Sequence, residues 1–388
     1  LYSMVSTQFR PRSMKPVITE PAKVALPSTE TAGADDIEAL ARFYVDAGKS
    51  ENTERTYKSH IKHYRVEWGG LLPATKDAVI QYIATYAKTL KVSTLRQRIS
   101  ALSKWHKEQG FPDPTGYADV KKALKGVAKH HQGMTKQAYP LTFKHMLAIC
   151  DRLEAEKREA IEAWNSVSST EQEGSPLRRD AQTAIFRTHR DLALILIGFW
   201  QAFRSDELSR ITVENVAADR NVGMTIYLSH SKTDRDAAGT TYDLHSLKAY
   251  CPVSAYLDWL QVSGLTSGVV FRSINRWGQL AETGIHRQSI DHILNRVSRA
   301  LFPNEPKFST HSLRRGFTDW AVRAGWDMKM LMDHVGWLSM DSARKYMPVR
   351  KDFGALALNN QGGAVFNGMP DPASGLTLLG HLQNKQAE

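Results

Sequence analysis

The stretch DLALILIGFWQAF (191–203) is apolar on every side of a helix. A chain that contains it must enclose it in a shell of other elements. No apolar run reaches the length of about 18 residues that a membrane span needs, so no membrane span is expected and the segment reads as a central buried helix. The run stops at Arg204, and a guanidinium at the end of a buried helix is costly unless paired. Glu207, one turn on, is the partner that the spacing offers. On these residues alone the pair reads equally as a structural ion pair and as part of a site.

The shell is mostly helical. A chain of 388 residues can form two domains with sizeable cores. Residues 1–34, rich in Ser, Thr, Pro and Ala, read as a flexible arm. A helical domain is expected over 35–130. Ile37, Leu40 and Tyr44 form one apolar stripe, and Tyr57, Ile61, Tyr64 and Trp68 another behind an Asn52 cap. Thr75 caps a third helix with Val79, Ile80 and Ile83 inward, Ser93 and Thr94 open a fourth with Leu95, Ile99 and Leu102 inside, and a fifth covers 117–129. HHQGMTKQAYPLT (130–142) reads as a linker, with 131–142 joining the helical domain to a second one over 143–350. There the charged stretch 154–180 reads as an insertion or extended loop. MTIYLSH (224–230) and TTYDLHS (240–246) read as a strand hairpin joined by SKTDRDAAGT. Helices follow at about 252–263, 286–301, 311–324, 327–335 and 340–347. Residues 351–388 read as a Gly- and Pro-bearing tail ending in Leu376, Leu378, Leu379 and Leu382.

Charge narrows the partner. Lys+Arg number 51 against 40 Asp+Glu, a formal charge of +11, which favours a polyanion. Between Lys88 and Lys129 ten basic residues face three acids. Arg96, Arg98, Lys104, Lys107, Lys122 and Lys125 are the candidate phosphate contacts, against the plainer reading of a solvated face. Cys150 and Cys251 stand far apart and offer neither a disulfide framework nor a zinc spacing, which fits a reducing cytoplasmic compartment. HIKH (60–63) is the nearest approach to a metal set and reads as a solvated helix face. No apolar secretory signal opens the chain, and no GKS/T phosphate loop is present.

Near the C-terminus comes THSLRRGFTDWAVRAGW (310–326). His311 and Arg314 share a helical face, and an imidazole beside a guanidinium suits an anion. Trp337 follows a glycine, and Tyr346 lies nine positions beyond it. Singly, each has a plain packing explanation, and Lys232 in the expected hairpin turn reads by itself as an ordinary exposed lysine.

Their order is specific. R-x-x-E, a hairpin Lys, H-x-x-R, Gly-Trp, then Tyr resembles the tyrosine recombinase (phage integrase) family, and STLRQRISALSKWHKEQGFPDPT resembles its core-binding domain. Trp337 stands where many members carry His, which makes Cre-type members the nearer comparison. The resemblance implies a mainly α fold. A helical, SAM-like core-binding domain would precede an α+β catalytic domain with a small antiparallel sheet. It implies Tyr346 as nucleophile, Arg204 and Arg314 as ligands of the scissile phosphate, and Lys232 as general acid. His311 would accept a proton or bind phosphate, Trp337 would donate its indole N–H, and Glu207 would orient Arg204. His334, twelve positions before Tyr346, is left as a supporting or structural residue. The implied partners are a double-stranded DNA site gripped from opposite sides by the two domains, and a homotetramer assembled through the tail. Off DNA the chain would be a monomer or weakly self-associated. No cofactor is implied.

The chemistry agrees with those roles. A phosphodiester repels nucleophiles, and two guanidinium forks neutralise charge where the transition state adds it, in place of a metal ion. A phenol needs a proton acceptor or a cationic setting to attack, and the leaving oxygen needs a proton. Type IB topoisomerases and telomere resolvases share this chemistry. A silent DNA-binding protein and a metal-dependent nuclease remain the further alternatives.

Overall fold

The computed structural model describes residues 34–48, 51–131, 137–167, 175–229 and 239–347. The chain divides into two compact units, one within Lys23–Gln137 and one from Ala138 onward.

The first unit is helical. α1 (Ala34–Ala47) forms at the expected place, but Ile37 and Tyr44 are exposed, so its apolar stripe lies outside the core. α2 (Glu51–Lys62) continues into one wider turn at His63–Glu67, where Trp68 N–H donates to the His63 carbonyl. Asn52 sits inside the first turn of α2 rather than before it, and its side-chain oxygen accepts from Arg55. α3 (Lys76–Tyr86) starts on Thr75, whose hydroxyl accepts from the Ala78 N–H. α4 (Val92–Glu108) begins one residue before Ser93, and α5 (Ala118–His130) closes the unit. Tyr64, Val79, Tyr82, Ile83, Ile99, Leu102 and Val120 form the core. HIKH is not a solvated face: His63 is buried, and its Nδ1 lies 2.9 Å from the Tyr82 hydroxyl.

The second unit is built around two long helices, α6 (Phe143–Val167) and α7 (Pro176–Trp200). The expected loop over 154–180 is therefore helical on both sides of 168–174, which lie outside the described residues. Its charges sit at helical spacing and pair along the surface, Lys157 with Glu154 and Glu156 with Arg152 just before the stretch, while Ala160, and Leu153 and Ala181 at its two borders, turn inward. The apolar run of α7 is buried from Leu192 to Phe199, as its composition requires. Asp191 at its head is fully buried and bonds Arg190 and Arg296.

After α8 (Ser205–Arg210) come three antiparallel strands in the order β1 (Val216–Asp219), β2 (Gly223–Leu228) and β3 (Thr240–His245). β2 and β3 are the expected hairpin, with Ile226 opposite Tyr242; its turn, 230–238, lies outside the described residues. α9 (Pro252–Ser263), the short pair β4 (Arg272–Ile274) and β5 (Leu280–Gly284), and α10 (Arg287–Leu301) lead to the C-terminal helices. These are α11 (Thr310–Arg323), α12 (Met328–Val335) and α13 (Met340–Arg344). No described helix is long and apolar enough to cross a membrane.

The expected linker is shorter than 131–142. Leu141 is fully buried in the second unit, and its N–H donates to the Ser312 carbonyl of α11. That crossing depends on Gly316: a Cβ there would stand 1.6 Å from the Leu141 oxygen and 2.5 Å from its carbonyl carbon. Both obstacles are backbone and cannot swing away. Gly316→Ala should therefore lower stability by about 3 kcal/mol or more, the upper range for overpacking, and reduce the melting temperature by about 10 °C. An unchanged melting curve would mean that 138–142 leaves α11 freely.

Candidate active site

Two residues past the end of α7 the chain turns through a left-handed residue. Ala202 has φ +53°, an uncommon conformation for a side chain bearing Cβ. The turn aims its carbonyl at α11, where it accepts from Arg314 Nε at 2.5 Å. Two residues later Arg204 occupies the position just before α8, and Glu207 lies in the first turn of that helix. The Glu207 carboxylate accepts from the Arg204 N–H at 2.7 Å, from Arg204 Nη1 at 2.5 Å and from Arg314 Nη2 at 3.3 Å. One buried carboxylate thus holds two guanidiniums that come from segments more than a hundred residues apart.

Arg314 is 1% exposed. Burial pulls its pKa down to about 10, with the Glu207 carboxylate opposing that shift and Arg204 adding to it. The group stays cationic at neutral pH. Its Nη1 is buried without a hydrogen-bond partner, and so is the indole Nε1 of Trp337. Trp337 follows Gly336, the left-handed residue that ends α12, and is 3% exposed. Its ring stacks on Tyr346 at 5.4 Å between centroids, and Arg314 Cζ lies 5.7 Å from the centroid of each of the two rings. Tyr346 follows α13 and is half-buried, and its hydroxyl lies 3.0 Å from His311 Nδ1. Unpartnered buried donors cost about 1–3 kcal/mol each. Two of them beside a phenol and a second guanidinium make a cleft for an oxyanion with several oxygens.

Arg204, Glu207, His311, Arg314, Trp337 and Tyr346 therefore meet at one place. Lys232 lies outside the described residues. His334 faces away from the cleft: its Nε2 is 2.7 Å from the Trp200 carbonyl, its ring stacks on Phe317, and burial lowers its pKa. These contacts make it a packing residue. Sequence reasoning misses Arg315, whose Nη1 donates to the Lys345 carbonyl at 3.0 Å. Its spacing of four from His311 is the one signal that points to it.

In the first unit, Arg96 and Lys107 are exposed and Lys104 half-exposed, and together they mark one face of α4; Lys122 and Lys125 are exposed on α5. Several are already in ion pairs, Lys104 with Glu108, Lys107 with Asp113 and Lys122 with Asp119. These surface pairs are weak and exchangeable. Arg98 departs from the expected basic face. Its Nη1 lies 2.7 Å from His63 Nδ1 and donates to the Tyr82 hydroxyl at 3.2 Å, so its charge is turned into the helical unit. Burial and that charge both hold His63 below the ordinary imidazole range.

The model of the phage integrase family matches residues 170–352. An integrase/recombinase XerD homolog of Selenomonas ruminantium is 25% identical over 328 residues, covering 82% of this chain and 88% of the relative. Recombinase Cre of Escherichia phage P1 is 22% identical over 307 residues, covering 76% and 80%. Among solved structures, XerH site-specific recombinase bound to a palindromic difH substrate, a post-cleavage complex, aligns with a TM-score of 0.51 at 14% identity, over 85% of this chain and 84% of that one. The Tn1549 transposon integrase in complex with transposon right end DNA aligns with a TM-score of 0.50 at 12% identity, over 84% and 98%. At such identities the structural likeness speaks for the fold, while the family model and the two relatives speak for descent. Residues 170–352 thus match the phage integrases, the tyrosine recombinase family of enzymes that cleave and rejoin DNA strands, and the relatives similar to this chain over most of its length are recombinases.

Proposed function

We propose that this chain is a site-specific recombinase that cuts and reseals duplex DNA through a 3′-phosphotyrosine on Tyr346, without metal ion or ATP, as four protomers on two duplexes. The observation that carries this reading is the convergence of Arg314 Nη1 and Trp337 Nε1, two buried donors without partners, beside the phenol of Tyr346. A phosphate in that cleft would accept from both, and from Arg204, which Glu207 holds alongside. The phenol oxygen attacks phosphorus while its proton passes to His311, in the tautomer that leaves Nδ1 bare. The 5′-oxygen departs with a proton from Lys232, a role that rests on the family motif alone. The new ester keeps the energy of the broken one, so the reverse attack reseals the strand. Arg96, Lys104, Lys107, Lys122 and Lys125 supply phosphate contacts on the helical unit, and the 351–388 tail, outside the described residues, couples protomers.

A randomised pool of duplexes lets the test run before the DNA site is identified. Duplexes with a randomised core, incubated with the protein in excess EDTA, should yield detergent-resistant adducts enriched for one sequence. Peptide mapping should find the linkage on Tyr346. Adducts that form only with added divalent ions, or on another residue, would sink the reading.

A further inference from the structure

We propose that Arg315 is a positioning residue for strand cleavage, holding the peptide that carries Tyr346 against the helix that carries the phosphate ligands. This rests on the reading of Tyr346 as nucleophile. His311, Arg314 and Arg315 stand at i, i+3 and i+4 on α11, so all three project on one face. Each touches the C-terminal segment at a different point. His311 Nδ1 lies 3.0 Å from the Tyr346 hydroxyl, the Arg314 guanidinium lies 5.7 Å from its ring centroid, and Arg315 Nη1 donates to the carbonyl of Lys345, the residue before it.

The third contact does what the other two cannot. α13 is only five residues long, and Lys345 and Tyr346 lie just past its end. The Tyr346 N–H donates back to the Ala343 carbonyl at 2.9 Å, and Ala343 is the buried anchor of that short helix. Carbonyls in the last turn of a helix lack intrahelical donors, and Arg315 supplies one to Lys345. A hydroxyl and a ring contact leave the main chain free to pivot about the side chain. A hydrogen bond to the preceding peptide removes that freedom. The same rigid helix then fixes both the phosphate, through Arg314, and the nucleophile's backbone, through Arg315. Reaction rates respond steeply to that separation, a misplacement of about 1 Å costing about a hundredfold. Arg315 does not need to reach the phosphate to matter. Its Nε is buried without a partner, and its charge lies near Tyr346.

The experiment uses the full chain and the duplex recovered from the randomised pool, nicked beside the cleavage point so that single-turnover adduct formation can be timed. Arg315→Ala should form adduct about 10- to 100-fold more slowly, with duplex affinity and melting temperature close to those of the parent. Arg315→Lys, which can still donate to one carbonyl, should recover most of the rate. A second substrate separates nucleophile placement from phosphate binding. In Tyr346→Phe protein, a strand ending in a 3′-p-nitrophenyl phosphate can be joined by the 5′-hydroxyl of the adjoining strand. The 5′-oxygen bonds to phosphorus, p-nitrophenolate leaves, and the hydroxyl proton passes to solvent. Adding Arg315→Ala to that protein should leave p-nitrophenolate release within about twofold, because no tyrosine has to be placed. Unaltered cleavage by Arg315→Ala overturns the proposal. So does a fall in p-nitrophenolate release matching the fall in cleavage, which would make Arg315 a phosphate ligand. Failure of the underlying reading is visible separately, as parent protein that forms no adduct on Tyr346.

Discussion

Tyr346→Phe should bind duplex DNA as tightly as the parent chain and yield no covalent adduct at any protein concentration or time. The substitution removes one oxygen and little else. The ring keeps its stack on Trp337 at 5.4 Å and its place 5.7 Å from Arg314, the contacts that seat the side chain against the second unit. What is lost is the hydrogen bond near His311, at an exposed position. A single bond of that kind is worth about 0.5–1.5 kcal/mol. The melting temperature should therefore fall by no more than about 5 °C for a unit of this size. Chemistry, in contrast, stops, because the hydroxyl removed is the one that lies 3.0 Å from His311 Nδ1 on the ring beside Arg314. Gel-shift titration and denaturing electrophoresis of the same mixtures read both outcomes. Residual adduct in the Phe variant would assign the nucleophile elsewhere.

Glu207→Gln should be the most destabilising polar substitution in the site. Glu207 is 2% exposed, Arg314 is 1% exposed, and one carboxylate answers both guanidiniums. A glutamine has the same shape but no charge, and its amide hydrogens would face N–H groups of Arg204 or Arg314. Breaking a buried ion pair by neutralising one partner costs about 3–5 kcal/mol. For the second unit this corresponds to a melting temperature lower by about 10 °C. Adduct formation should fall as well, since Arg204 loses the bond that aims it. Glu207→Asp, which keeps the charge on a shorter arm, should lie between the two. If Glu207→Gln melts with the parent, Arg204 and Arg314 are not held by this carboxylate and the site has another source of order.

The sequence alone determined those features whose causes lie within one or two turns of chain. The apolar run 191–203 had to be buried, and it forms a helix as far as Trp200, buried from Leu192 to Phe199, with Gln201–Phe203 in the turn that follows. The alternation in 224–230 and 240–246 produced paired strands, and the Thr75 cap is where its hydroxyl could reach the Ala78 N–H. The spacing of His311 and Arg314 puts them on one helical face whatever packs against it. Where composition hid periodicity, the same reasoning failed. The stretch 154–180 is dense in charge, but its Lys157–Glu154 pair and its inward Ala160, with Leu153 and Ala181 inward at its two borders, follow the period of a helix. β1, β4 and β5 are too short, at three to five residues, for alternation to declare them, and they exist because neighbouring strands supply their hydrogen bonds.

Only the tertiary structure decided where each charge points. Arg98 turned inward because His63 and Tyr82, from other helices of its unit, offered it partners. Arg315 faced the peptide before Tyr346 because α13 ends beside α11. Arg314 is buried between the Ala202 carbonyl and Glu207, more than a hundred residues upstream. The direction of a long cationic side chain is set by which acceptors the fold brings within about 3 Å. That depends on how distant segments pack, a quantity that no local spacing encodes.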